Sequence, residues 1–494
     1  MLEAAFLVET VYVRARARRR ATVPIERRSI TFVPEHERHG RVIDQGPFWF
    51  LSNFQFFAIA IGFVGPSLGL SLGFTALAGT LGILIGTTFQ AFHASQGAEL
   101  GLPQMIQSRA QFGYRGVVVP LLATFVSLVG YNVVATVIIS EGLQTLWSLN
   151  RSTAAIGVSL LAAVLAVWGY DWLHRVFRIL FWLSLPLFSI LSIAVLAGKA
   201  GGSVAPGGGF NSVAFITQLA SAVSFNVTAA PYVSDYSRYL PTRTPRAAII
   251  LNVFLGSALS AIWLIALGAW LATHMGVTDG LMALKRSGDI VASGLGSLLA
   301  ITSIVALVAT VGMNAYSAML TLMTTVDSIR SVKPTQTLRI TFITVITLLW
   351  IMVAISFGGD AITYVNAMLV MMLYFLMPWT AVNLIDYFLL RRGRYSICDL
   401  FTPTGLYGAW GGRGLIAYAI GFMASIPFFV VPNVYTGPIA ARLGGVDMGW
   451  LVSLAAASVA YLGLSWKFDP AAESAAIALE DQGANTARMS AENS

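Results

Sequence analysis

Asn132, Asn226 and Asn314 stand inside long apolar runs of a 494-residue chain. An amide in such a run must face protein, water or a ligand, because lipid offers no hydrogen-bond partner. Each amide presents a donor and an acceptor side by side, so the chemistry it supports is reversible recognition of a molecule edged with donors and acceptors. Thr310 lies four residues before Asn314 and therefore on the same helical face. Ser221, Ser224, Phe225 and Asn226 gather within six residues of one another. Hydroxyls and amides also join membrane helices to each other, so a packing role stands beside the binding role for every one of these positions.

Bond-making chemistry finds little support. A metal centre or acid–base site needs clustered His, Asp or Glu, whereas His36, His39, His93, His174 and His274 are scattered without ligand spacing. No Gly-rich phosphate loop ending in Lys-Ser/Thr is present. A membrane-embedded enzyme is thus a weak rival, and neither a cofactor nor a bound metal is expected. Glu141, Asp171, Asp235, Asp327, Asp360 and Asp386 fall near the ends of apolar runs. Asp235 and Arg238, three residues apart, read as a gating or folding pair, while Glu141 closes an otherwise apolar run and is a functional candidate by default.

Hydrophobic residues make up 56% of the chain and charged residues 11%, against about a quarter charged in soluble proteins. Since about 20 apolar residues cross a bilayer as a helix, the sequence divides into twelve spans: 48–72, 75–94, 117–141, 153–170, 176–198, 212–234, 247–273, 291–325, 338–357, 361–390, 414–432 and 447–466. The reading is one transporter-sized membrane domain over 46–466, flanked by tails at 1–45 and 467–494 that look polar and disordered. An even count puts both tails on one side. That side then holds all of the 30 Lys and Arg residues except Arg151, Lys199, Lys285, Arg286 and Arg442, so the positive-inside rule makes it cytoplasmic. Topology, and not nucleic acid, explains the net charge of +8. The N-terminal run, followed by Arg14 to Arg20, lacks a cleavage site and is not read as a signal peptide. The single cysteine, Cys398, can form no intrachain disulfide and reads as an inert thiol in a cytoplasmic loop.

Gly62, Gly65 and Pro66 interrupt the first span and Pro231 the sixth. Glycine adds backbone freedom and proline removes a donor, so both spans are expected to break. Breaks at matching places in two halves point to an inverted repeat of spans one to five in six to ten, with a site at mid-membrane; ordinary kinks are the alternative.

Two stretches carry a family resemblance. Pro231-Tyr232-Val233-Ser234-Asp235-Tyr236-Ser237-Arg238-Tyr239-Leu240-Pro241 resembles the sixth-helix signature of the purine-cytosine permease branch of the nucleobase:cation symporters. Met377-Pro378-Trp379-Thr380, with Asp386-Tyr387 and Arg391-Arg392-Gly393-Arg394-Tyr395, resembles its tenth-helix exit. Gln107 to Gly116 and Gly405-Leu406-Tyr407-Gly408 extend the likeness.

That resemblance implies an all-α LeuT-type fold of five plus five helices with two more at the C-terminus. It also implies plasma-membrane uptake of a planar heterocycle, cytosine or a purine, by symport with protons or sodium, protons being favoured. Helices one, three, six and eight line the site in that family. Tyr131 stands where the family has a stacking tryptophan, Asn132 follows it, and Ala135 replaces a hydrogen-bonding residue. Ser224 and Phe225 resemble the serine and aromatic of cytosine permeases, and Asn314 the eighth-helix asparagine. Phe57 in span one is a further stacking candidate, although aromatic runs also face lipid. A hydantoin, ureide, pyridine vitamin or amino acid carried with sodium is the alternative. Sodium would need oxygen ligands from span one with hydroxyls of span eight. Thr302, Ser303, Thr310 and Ser317 are present there, but no adjacent hydroxyl pair sits one turn before Asn314. The sequence does not specify an oligomeric state.

Overall fold

The computed structural model describes residues 25–26, 28–202, 208–277, 279–356, 361–431 and 434–478, with 361–366 as backbone only. Among the described residues, eight helices are long and apolar enough to cross a membrane. In chain order the first half comprises α1 Val42–Asn53, α2 Phe56–Gly62, α3 Val64–Ser67, α4 Leu72–Leu100, two short turns α5 Gln104–Gln107 and α6 Arg109–Phe112, α7 Val118–Trp147, α8 Arg151–Trp168 and α9 Tyr170–Leu196. The second half follows with α10 Ser212–Val227, α11 Arg246–His274, α12 Gly280–Val291, α13 Leu295–Ile329, α14 Gln336–Ser356 and α15 Ala361–Leu384. Beyond them lie α16 Gly412–Ser425, the two-residue strands β1 Val430–Val431 and β2 Tyr435–Thr436, α17 Pro438–Arg442 and α18 Gly449–Leu464. Counting α1 with α2–α3 as one bent span, and the shorter apolar helices α10, α16 and α18 as one each, reproduces the twelve expected spans in their expected order.

Burial sorts these helices into layers. The most apolar stretches of α7, α13 and α15 are 67%, 78% and 72% buried, whereas those of α8 and α9 are 28% buried. The inner helices therefore hold whatever site the protein has, and the outer ones present Leu161, Ile179, Trp182 and Ile193 outward. Apolar side chains without a covering are what a lipid solvent permits.

The first break lies earlier than glycine and proline placement predicts. α1 and the α2–α3 pair meet at 59° across Phe54 and Gln55. Gln55 adopts extended backbone, and its Oε1 accepts the Phe57 N–H at 2.6 Å, capping the new helix from within. Gly62 instead ends α2, and Gly65 with Pro66 lies in the last turn, α3. Glycine is required at 62 by close approach, because a Cβ there would strike the Ile265 carbonyl and the backbone of Gly268 on α11. In the sixth span the helix stops at Val227, and residues 228–240 run as turns around a 3-10 segment, Val233–Tyr236. Pro231 lies inside that non-helical stretch, four residues beyond the last helical one.

Three further expectations are corrected. The first two spans part at 68–71, ahead of the expected boundary between 72 and 75, with Ser71 capping α4. Between the expected spans 247–273 and 291–325 the chain forms a further, amphipathic helix, α12, which Asp279 caps by accepting the Met282 N–H at 2.6 Å. Neither tail is wholly without structure. Residues 25–41 pack under the bundle, Val33 N–H bonding the Gly101 carbonyl at 2.9 Å, and residues 470–478 are helical. Residues 1–24, 27 and 479–494 of the tails, and Asp360, lie outside the described residues.

Candidate functional site

The break in the first span places an amide and an aromatic ring beside the third and sixth. Gln55 Nε2 donates to the Tyr131 hydroxyl at 3.2 Å. The Phe57 ring stacks on Tyr131, with centroids 4.8 Å apart at 20°, and lies parallel to Phe225, 6.0 Å away at 11°. Three rings from spans one, three and six thus share one orientation, contributing about 0.5–1.5 kcal/mol per pair beyond area burial. A flat heterocycle finds a matching surface there.

Span eight runs past this stack. Asn314 is buried, its Oδ1 has no hydrogen-bond partner, and no side-chain bond fixes its amide among the described residues. Asn132 Nδ2 reaches the Val311 carbonyl, one turn before Asn314, at 3.3 Å, leaving its own Oδ1 unpartnered. Two buried amide oxygens, on spans three and eight, therefore retain unused capacity on helices that pack with those bearing the rings, and each costs about 1–3 kcal/mol if nothing meets it.

The other expected site residues are engaged by protein. Asn226 accepts from Asn53 Nδ2 at 2.7 Å and donates to Thr87 Oγ1 at 2.6 Å, tying spans one, two and six. Ser224 donates to the Leu369 carbonyl of α15. Thr310 donates to the Ser52 carbonyl at 3.3 Å and to Ala306 at 3.1 Å, joining α13 to the end of α1. Sequence reasoning overlooked Asn53 and Gln55, although three polar residues around Phe54 in an apolar run are a visible signal. Gln218 was overlooked as well: it accepts the Gly65 N–H at 2.7 Å and leaves its Nε2 free.

Near the end that carries both tails, the ionic groups arrange differently from expectation. Arg238 does not pair with Asp235; its Nη2 meets Glu26 Oε1 at 2.7 Å, and Arg339 meets Glu26 Oε2 at 3.1 Å. The Tyr239 and Tyr316 hydroxyls complete the ring around that carboxylate at 2.6 and 3.0 Å. Burial alone would raise the Glu26 carboxyl, but Arg339 and Arg238 hold it below the usual carboxylate range. Arg109 with Asp327, at 2.9 Å, and Arg391 with Asp386, at 2.5 Å, give two more buried pairs. Arg391 is also bound by Glu473 of the C-terminal segment, at 2.5 Å. Beside them lies a cavity of about 330 Å³ lined by Gln111, Tyr407 and Arg413, residues remote in sequence from both helix breaks. At the opposite end Glu141 is paired with Arg151 at 3.1 Å, which accounts for its position as a tie between α7 and α8. Among the described residues no group of three His, Cys, Asp or Glu could hold a metal ion.

Residues 32–453 match the family described as permease for cytosine/purines, uracil, thiamine, allantoin. The chain belongs to this permease family. A Bacillus subtilis (strain 168) relative, YxlA, named as a candidate purine-cytosine permease, is 32% identical over 88% of this chain and 95% of its own length. The purine-cytosine permease fcyB of Emericella nidulans is 24% identical over 90% and 88%. In fold, the permease is similar to the solved nucleobase-cation-symport-1 transporter Mhp1, closed with bromovinylhydantoin bound. The TM-score is 0.70 at 18% identity, over 92% of this chain and 98% of that one. The permease is thus an all-α, multi-pass membrane protein of the LeuT type with additional C-terminal helices. It is a secondary transporter and not an enzyme.

Proposed function

We propose that this permease imports cytosine or a purine across the plasma membrane by proton symport, with both termini in the cytoplasm. The observation that carries the reading is the pair of unpartnered amide oxygens, Asn314 and Asn132, on helices that pack against those carrying three parallel rings. A nucleobase brings ring N–H and amino donors to such oxygens and a face to such rings. The relatives named as purine-cytosine permeases support the same class. Protons are favoured over sodium because the Thr310 hydroxyl is spent on a direct bond to Ser52, between spans eight and one, and Thr310-Val311, one turn before Asn314, supplies no adjacent pair of hydroxyls.

The test is uptake of labelled cytosine, adenine and hydantoin into proteoliposomes, with a proton gradient and a sodium gradient imposed separately. Accumulation of cytosine or adenine on the proton gradient alone is expected. Accumulation of hydantoin alone, or dependence on sodium, would replace this reading with the alternative substrate class or ion.

A further inference from the structure

The broken sixth span holds a buried carboxylate that forms no ion pair among the described residues, Arg238 acting on it only from a distance. Asp235 lies in the 3-10 turn Val233–Tyr236 and is 3% exposed. Its Oδ1 accepts the Gln104 N–H, at the start of α5, at 3.1 Å, and the Ser317 hydroxyl of α13 acts on the same carboxyl. Among the described residues no Lys, Arg or His comes within ion-pair distance of it. The cation nearest in sequence, Arg238, is turned away onto Glu26, the Ser29 and Arg28 carbonyls and the Tyr316 hydroxyl. The remaining titratable groups around Asp235 are Tyr232 and Tyr236 from its own segment, Tyr316 from α13 and Glu26 from the N-terminal segment. Three are neutral phenols and the fourth is a carboxylate already held by two guanidiniums. None of them favours a second negative charge.

Position ties this group to the candidate substrate site. Ser317 and Asn314 are three residues apart on α13 and share its face. The Tyr236 hydroxyl donates to the Met313 carbonyl at 2.8 Å and receives the Ser317 hydroxyl at 3.3 Å, so the turn bearing Asp235 is docked on the residues flanking Asn314. The helix that leads into this turn ends with Phe225 of the ring stack and Asn226, which is bound to Asn53 and Thr87. A change in how this turn seats on α13 is therefore felt at the substrate amide.

We infer that Asp235 carries the coupled proton, a role that rests on the proton-symport reading above. Its carboxylate takes one proton on the side where the heterocycle enters and keeps it while the turn stays docked in the low-dielectric interior. The carboxyl returns the proton to water on the other side, where hydration favours the anion again. One positive charge crosses with each neutral heterocycle.

The experiment uses wild type, Asp235→Asn and Asp235→Glu, purified and reconstituted at equal protein content, with labelled cytosine and adenine. Counterflow exchange, which needs no gradient, is measured beside accumulation and current driven by an imposed proton gradient. Asp235→Asn should exchange substrate at near wild-type rate but lose more than tenfold of its gradient-driven accumulation together with its current. Asp235→Glu should keep accumulation, with its pH midpoint moved. If Asp235→Asn concentrates substrate as wild type does, the assignment is overturned while proton symport stands. If it fails in counterflow as well, Asp235 is structural and the assignment is again overturned. A wild type indifferent to the proton gradient overturns the symport reading, and the assignment falls with it.

Discussion

The ring-and-amide site and the tail-side ionic seal are both buried, yet they treat their polar groups in opposite ways. Around Glu26 two guanidiniums, two phenols and the Tyr170 N–H converge on one carboxylate, and each guanidinium leaves only its Nε unpaired. On spans eight and three, no side-chain bond holds the amide of Asn314 among the described residues, and Asn132 spends only its donor. Polar satisfaction is near complete around Glu26 and incomplete at Asn314 and Asn132, as the proposed substrate site requires. Asn226 shows the contrast within one element: it lies next to Phe225 of the ring stack, but both ends of its amide are bound by neighbouring helices.

That contrast can be broken most forcefully at the seal. Glu26→Ala leaves two buried guanidiniums without their carboxylate and is expected to cost about 3–5 kcal/mol. Melting curves should fall and residues 25–41 should become open to protease; an unchanged melting temperature would remove the distinction between the regions. Next come the two asparagines, with opposite readouts. Asn314→Ala should weaken substrate binding by about 1–3 kcal/mol with stability preserved, since it deletes a group whose partner is the ligand. Asn226→Ala should cost about 1–3 kcal/mol of stability first, because Asn53 and Thr87 lose their partner. Titrations and melts on both variants test the pair together, and an exchange of the two phenotypes would place the site elsewhere.

Tyr131→Ala should weaken binding by about 0.5–1.5 kcal/mol, and Tyr131→Trp should retain or improve it, because a stacking surface tolerates a larger ring. Equal loss in both variants would show that the Gln55–Tyr131 bond matters more than the ring face. The smallest effect is one of pH. Because the folded-state value of Glu26 lies below its reference of 4.5, its contribution to the seal is fully present above that value and is lost as pH falls through the lowered one. Protease sensitivity of residues 25–41 should therefore rise only in acid, and Glu26→Gln should abolish the transition.

The number and order of spans were legible because each needs about 20 apolar residues and the basic residues lie between them on one side. The existence of two broken helices was legible from Gly62, Gly65, Pro66 and Pro231, but their location was not. At the first break the Gln55 side chain caps a new helix, while Gly62 serves close packing on α11, and composition does not distinguish these uses. Sequence spacing likewise paired Arg238 with Asp235. Glu26, more than two hundred residues away, takes the arginine because packing brings the N-terminal segment beneath the bundle. Local spacing and hydropathy, which depend only on neighbouring residues, determined the membrane class, the twelve spans and the identity of the polar side chains inside them. Only the tertiary structure decided which amides are spent on neighbouring helices and which are left without a partner among the described residues, because hydrogen-bond partners in a helical bundle come from other helices and spacing along one helix does not reveal them.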